Sequence, residues 1–214
     1  VASLGIVDPV TGQRWFIECT PSFPRQVRRL DDAYPKLSGK IDGILLTHAH
    51  IGHYAGLIHL GREVMGAKSI AVHVMPRMEK FLRTQGPWSQ LVGLKNIRLN
   101  PMRDNRQFVL NNRIKVIPFL VPHRDEFSET VGFQIEGPTR KILWLPDIDK
   151  WEKWKTPLEK VLSDVDIAYL DGTFYANGEL PGRDMSKIPH PFIAETMRRL
   201  KDHPDSLRNK IRFI

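Results

Sequence analysis

The chain has 214 residues, of which 41% are hydrophobic and 26% are charged, close to ordinary globular usage. This composition argues against a disordered chain. No apolar run approaches the ~20 residues of a membrane span, so we expect no membrane partner. The net charge of +8 favours an anionic substrate; because the basic residues are scattered, nucleic acid is a less favoured partner that is not excluded.

The first half of the chain alternates predicted strands with predicted helices. A continuous apolar run at 40–47 is typical of a strand covered on both faces. The next strand follows a helix, so the two strands of this β-α-β unit should be parallel. The predicted elements are strands at 3–7, 14–18, 40–47 and 69–74 and helices at 24–30, 53–65 and 76–83.

The second half is rich in strands and ends with helices and a last strand. Gly137-Pro138-Thr139 is typical of a hairpin turn, and Thr156 begins a capping-box pattern with Pro157 at the first helical position. The predicted elements are strands at 97–100, 107–110, 113–121, 131–136, 140–145, 167–170 and from 210, and helices up to 162 and at 191–201. Together the two halves predict an α/β fold of two sheets packed together and covered by helices. Because both ends lie in predicted strands, we expect residues 1–214 to be a single domain that is truncated at both ends.

Three histidines follow the apolar run at 40–47 within six residues: His48, His50 and His53. Neutral imidazole is the commonest protein ligand for zinc and similar metals. His48 and His50 lie two apart on extended chain, so their side chains can lean to the same side, and His53 in the next helical turn can point back towards them. The whole chain has eight histidines, so three within six positions by chance is improbable. We therefore predict a metal site at the carboxyl end of this strand.

This segment resembles the H-x-H-x-D-H motif of the metallo-β-lactamase superfamily. Three later stretches, 121–133, 145–149 and 170–174, match the same superfamily in the same order. The wider chain resembles the branch of coenzyme PQQ synthesis protein B (PqqB) and PqqB-like proteins. The resemblance implies an αββα sandwich of two mixed β-sheets flanked by helices.

The resemblance also implies a set of metal ligands. They are His48, His50 and His123 for a first ion, His53 for a second ion, and Asp147 as the carboxylate that bridges the two. Gly52 stands where the family carries an aspartate ligand of the second ion, and the sequence stops before the family's last histidine. A mononuclear site is therefore an alternative. The implied cofactor is zinc, as one or two ions, with iron or manganese as alternatives.

Asp147, Asp171 and His190 are candidate catalytic residues. Each carboxylate follows an apolar strand, where it needs a metal ion or hydrogen-bond donors, although an aspartate there can also simply form a turn. His190 resembles the loop histidine that shapes the pocket in some branches of the superfamily. It either donates a proton in the reaction or only starts the following helix.

The remaining candidates have a structural alternative. Glu126, close behind His123, is either a partner that orients a metal histidine or part of a solvated loop. His59 and His73 are interpreted as structural. Cys19 is the only cysteine, so no internal disulfide is expected; we interpret it as a small core residue and expect a cytoplasmic protein.

These residues leave three functions open. The first is a hydrolase that uses metal-activated water against an ester, lactone, amide or phosphodiester. The second, implied by the PqqB branch, is an iron-dependent oxygenase that hydroxylates a tyrosine-derived peptide precursor in PQQ biosynthesis. The third is a binding module that kept the fold and lost the chemistry, as Gly52 suggests. The expected partner is a small or peptide-derived substrate, and a homodimer is compatible with the sequence.

Overall fold

The computed structural model describes residues 2–214; Val1, the first residue of the predicted domain, lies outside the described residues. The described residues form two units. Unit 1 extends to Met102 and includes Glu126–Glu129. Unit 2 contains Arg103–Asp125 and Thr130–Ile214.

Unit 1, as far as it is described, contains a five-stranded mixed sheet in the order β1-β2-β3-β4-β5. Its strands are β1 (Leu4–Asp8), β2 (Gln13–Ile17), β3 (Gly43–Leu45), β4 (Ile70–Val74) and β5 (Ile97–Pro101). Its helices are α1 (Phe23–Ala33), α2 (Ile51–Tyr54), α3 (Pro76–Thr84) and α4 (Trp88–Gly93), with 3₁₀ turns at Pro35–Leu37 and Ala55–Leu60. The pair β1–β2 is antiparallel and the other pairs are parallel, which confirms the parallel β-α-β unit.

The core of unit 1 lies between this sheet and its helices. Ile44, Leu45 and Leu46 are at most 1% exposed, as expected for a central strand covered on both faces. The helix α1 contributes Phe23, Val27 and Leu30 at the i, i+4, i+7 spacing of one helical face. Burial of this stripe fixes the helix that follows β2.

The predicted helix at 53–65 is wrong in extent, because the chain forms the single turn α2 and then a 3₁₀ segment. The amide of Cys19 donates to the His53 carbonyl at 2.8 Å. This carbonyl oxygen therefore already has a partner where a continuing α-helix would bond it to the amide four residues later. The Gly56 amide donates to the Cys19 carbonyl, also at 2.8 Å. A Cβ atom at Gly56 would lie 2.0 Å from the Thr20 carbonyl oxygen, so only glycine permits this approach. Cys19 itself is fully buried, which confirms its place in the core.

Unit 2 contains a six-stranded mixed sheet among its described residues, in the order β11-β10-β9-β8-β7-β6. Its strands are β6 (Phe108–Val109), β7 (Lys115–Leu120), β8 (Val131–Glu136), β9 (Lys141–Leu145), β10 (Ile167–Leu170) and β11 (Ile211–Phe213). Its helices are α5 (Leu158–Ser163), α6 (Ile193–Arg199) and α7 (Asp205–Arg208), with 3₁₀ turns at Trp151–Lys153 and Met185–Lys187. Strands β6 to β9 pair antiparallel, and β9, β10 and β11 pair parallel.

Two turn predictions in unit 2 have different outcomes. The β8–β9 hairpin is confirmed, and its turn is closed by a 2.9 Å bond from the Gly137 amide to the Arg140 carbonyl. The capping box at Thr156 is wrong, because α5 begins at Leu158 and Pro157 occupies the N-cap position. A glutamate caps a different helix, α6: the Phe192 amide at its N-terminus donates to the Glu195 carboxylate at 2.9 Å. Within residues 2–214, no helix is long and apolar enough to span a membrane.

Candidate metal centre

The first two histidines of the motif meet directly beyond β3. The backbone of His50 is extended, so His48 and His50 project to the same side. His48 Nε2 lies 2.8 Å from His50 Nδ1. Two nitrogen ligands of one tetrahedral zinc ion, each about 2.0–2.1 Å from the metal, are about 3.3 Å apart. A small side-chain adjustment therefore lets both atoms bind one ion.

The other ring nitrogen of each histidine has a polar partner. His48 Nδ1 lies 2.9 Å from the Thr47 hydroxyl, and His50 Nε2 lies 3.0 Å from a carboxylate oxygen of Glu126. The Thr47 hydroxyl donates its own proton to Glu18 at 2.5 Å, so it accepts from His48 Nδ1–H. This leaves a lone pair on His48 Nε2, as a metal ligand requires. Partners of this kind fix the ring orientation of metal-bound histidines.

The buried carboxylate of Glu18 joins two parts of the motif and was missed by the sequence reasoning. Glu18 is fully buried directly after β2, in the left-handed backbone region at φ 68°. The oxygen that accepts from Thr47 also lies 3.4 Å from His53 Nδ1. Glu18 therefore supports His48 through Thr47 and contacts His53 itself. A glutamate immediately after the apolar run of β2 was the available signal, since a buried carboxylate needs partners.

His53 lies in α2 and is 4% exposed. Its ring centroid is 4.2 Å from that of His48, so the structure brings all three histidines of the motif together. Gly52 occupies the first turn of the same helix and offers no side-chain ligand.

In unit 2, a histidine and an aspartate lie close together after strands β7 and β9, which both pair with β8. His123 follows β7, and Asp147 follows β9. His123 Nε2 lies 3.5 Å from Asp147 Oδ2, a separation close to that of two ligand atoms on one ion. The His123 side chain is fully buried and that of Asp147 is 14% exposed.

A second aspartate–histidine pair lies beside His123 in unit 2. Asp171 Oδ2 is 2.6 Å from His190 Nδ1 and also accepts from the Ile148 amide at 3.2 Å. The other carboxylate oxygen accepts from the amide and hydroxyl of Thr173. Asp171 therefore does more than form a turn, because it holds one face of His190. The His190 ring centroid lies 5.1 Å from that of His123.

The protonation of His190 follows from these neighbours. Burial disfavours the charged ring, but the hydrogen bond to Asp171 and the charges of Asp171 and Asp147 outweigh it and raise the pKa of His190 above its ordinary value. The raised pKa favours the charged ring, in which Nδ1–H donates to Asp171 and Nε2 carries the second proton.

The two histidines interpreted as structural lie elsewhere in unit 1. His59 is half-buried in the 3₁₀ segment Ala55–Leu60. His73 lies within β4, where burial and the charge of Arg98 lower its pKa to about 4. His73 is thus neutral at neutral pH and packs within the sheet.

The described residues supply a donor set suited to a metal ion. The candidate ligands are His48 and His50 in unit 1, and His123 and Asp147 in unit 2. Histidine nitrogens with one carboxylate oxygen are typical zinc ligands and also suit iron.

Comparison with known proteins defines the family. The model of the beta-lactamase superfamily domain matches residues 7–207. The chain therefore belongs to the metallo-β-lactamase superfamily. No curated protein matches the sequence.

Solved structures support the same fold. The crystal structure of Zn(2+)-bound PqqB from Methylobacterium extorquens is similar with a TM-score of 0.72 and 16% identity, over 90% of this chain and 68% of that chain. Human tRNase Z, short form, is similar with a TM-score of 0.65 and 15% identity, over 99% and 84% of the two chains. A diphosphatase from the PhnP family has a TM-score of 0.61 and 18% identity, over 89% of this chain and 64% of its own. These likenesses, together with two mixed sheets and their helices, confirm the predicted αββα fold class.

Proposed function

We propose that the chain is a metal-dependent hydrolase in which His48, His50, His123 and Asp147 bind one zinc ion. The observation that carries the proposal is the close pairing of ligand atoms within each unit. The pair in unit 1 is separated by 2.8 Å and the pair in unit 2 by 3.5 Å. The polar partners of His48 and His50 add support, since metal-bound histidines are oriented in this way.

In this proposal the active enzyme binds a single metal ion. Gly52 has no carboxylate to offer a second ion. His53 remains a candidate ligand for a second ion, with Nδ1 directed to Glu18. The net charge of +8 supports an anionic substrate, such as a phosphodiester.

The metal would activate the water, and the side chains would orient it and supply a proton. A zinc ion held by these residues would lower the pKa of bound water to about 7 and so would make hydroxide available at neutral pH. Asp147 accepts a hydrogen bond from the attacking water and orients it. His190 donates the proton on Nε2 to the leaving oxygen or nitrogen, and Asp171 holds Nδ1 so that the ring cannot turn away.

Metal analysis and hydrolysis together test the proposal. The protein is purified without chelator, its zinc content is measured, and bis(p-nitrophenyl) phosphate and p-nitrophenyl acetate are assayed as substrates. We expect about one zinc per chain in the wild type, with metal and activity lost in His48→Ala and His123→Ala. His59→Ala is the matched control and should retain both. Purified protein without stoichiometric metal would instead support the non-catalytic binding module.

A second candidate is iron-dependent oxygenation of a peptide-derived substrate in PQQ biosynthesis. It is supported by the site's suitability for a single iron ion and by the fold shared with PqqB. Oxygen consumption after anaerobic loading with Fe(II) tests it. Zinc-dependent hydrolysis without oxygen uptake would count against it.

A further inference from the structure

Four aromatic rings form a ladder in unit 1 that ends at the protein surface. The rings belong to Trp88, Tyr54, Phe81 and Phe127, and successive centroids are 5.0, 5.4 and 5.5 Å apart. Trp88 and Tyr54 are 7% and 6% exposed, whereas Phe127 is 60% exposed. The ladder thus extends from buried rings in the core to Phe127, most of whose surface is exposed to solvent.

Phe127 is exposed on a segment that is firmly held. The Ala49 amide donates to the Ser128 hydroxyl at 2.8 Å, and this bond is buried. The Arg77 amide donates to both carboxylate oxygens of Glu129 at 3.0 and 3.1 Å. Because the neighbours of Phe127 are bonded to the histidine motif and to α3, its ring is presented by a fixed backbone. Because the backbone is fixed, a ring exposed in this way can bind a partner without the cost of ordering the segment first.

The exposed ring belongs to the surroundings of the proposed metal ligands. Glu126, the residue before Phe127, contacts His50 at 3.0 Å. Tyr54, the second ring of the ladder, directly follows His53 in the chain. Ile51, directly after His50, is also 64% exposed and adds apolar surface to the same motif. The Phe127 segment is thus tied to His50 through Glu126, which is the basis for placing a subsite beside this histidine.

We propose that Phe127 forms the wall of a subsite that binds an aromatic group of the substrate. The inference rests on the proposed function, because the subsite selects among molecules held at the metal ligands. A ring of the substrate would continue the ladder by the same offset or edge-to-face packing that joins its members. Phe127 is thus a specificity-determining residue, and the substrate class is an aromatic ester, amide or phosphodiester.

Binding of two small phosphonates tests the subsite independently of turnover. Phenylphosphonate and methylphosphonate share the group that a metal would bind and differ in the aromatic ring. We expect the zinc-loaded wild type to bind phenylphosphonate about 5-fold more tightly by calorimetry. Phe127→Ala should remove this preference, Phe127→Trp should retain it, and methylphosphonate affinity should stay unchanged throughout. Val109→Ala, at another position that is 59% exposed, is the matched control and should behave as the wild type.

The outcomes separate this inference from the proposed function. Hydrolysis of p-nitrophenyl acetate with equal affinity for the two phosphonates would overturn the subsite and leave the hydrolase in place. A preference that depends on Phe127, in a protein that hydrolyses nothing, would support the subsite and reject the hydrolase. If Phe127→Ala instead converts a dimer to a monomer in sedimentation and leaves the phosphonate preference intact, the ring belongs to an interface between copies and the inference is wrong.

Discussion

The contact between Gly56 and the segment after β2 holds Glu18 and the histidine motif together. We therefore expect Gly56→Ala to be strongly destabilising. An added Cβ atom would lie 2.0 Å from the Thr20 carbonyl oxygen and 2.8 Å from the Cys19 carbonyl oxygen. Both neighbours are backbone atoms, so the two segments must move apart rather than rotate a side chain. The two hydrogen bonds that join them, at Cys19 N–His53 O and Gly56 N–Cys19 O, would break or lengthen.

The size of the effect follows from these two losses. Each backbone hydrogen bond contributes about 1 kcal/mol net. Overpacking a filled interior costs a further ~1–3 kcal/mol. The free energy of unfolding should therefore fall by about 3–5 kcal/mol, a large share of the ~5–15 kcal/mol that stabilises a typical domain.

Urea unfolding followed by circular dichroism measures this change. Gly93→Ala is the matched control, because a Cβ atom at this helical glycine meets nothing within 4 Å. Its stability should stay the same or rise by up to ~1 kcal/mol. Gly56→Ala should also weaken zinc binding, since the displaced segment adjoins Glu18, which supports the ligand His48 through Thr47. A Gly56→Ala protein within about 1 kcal/mol of the wild type would refute the close-approach argument.

Three further predictions test individual side chains. Glu18→Gln keeps the shape but weakens the support of His48 and His53, so zinc affinity should fall about 10-fold in a chelator competition; an unchanged affinity would remove Glu18 from the site. The raised pKa of His190 places the loss of its proton above pH 6.5, so hydrolysis should decline on that basic side, and the decline should be absent in His190→Gln. The pKa of His73 is lowered to about 4, so only the unfolded chain takes up this proton between pH 6.5 and 4, and stability should fall by about 3 kcal/mol as the pH drops through this window. His73→Gln should show a correspondingly smaller loss in urea unfolding, and an identical loss would assign the acid sensitivity to other groups.

Local patterns in the sequence predicted much of the fold and part of the site. The apolar run before His48 and the two-residue spacing to His50 indicate both the buried strand and the shared direction of the two side chains. The hairpin at Gly137 and the parallel pairing of β3 with β4 follow from equally local rules. Each of these features depends on residues that are close together in the chain.

Features set by distant contacts were not predictable in this way. Glu18 lies 29 residues before Thr47, and its role depends on how β2 pairs with β3. The early end of α2 depends on Cys19, which takes the His53 carbonyl. The short helices α4 and α7 were missed because each is too brief to show a clear helical period in the sequence.

The position of Glu18 also bears on the number of metal ions. As a nearby buried carboxylate, Glu18 is a candidate to replace the second-ion ligand that Gly52 lacks. However, Glu18 contacts His53 at Nδ1 and reaches His48 through Thr47, again on the Nδ1 side. The contacts of Glu18 Oε1 are therefore on the Nδ1 side of both rings, which leaves Nε2 as the nitrogen each ring can offer to a metal. On these contacts we expect the carboxylate to orient the histidines, in line with the proposed mononuclear site.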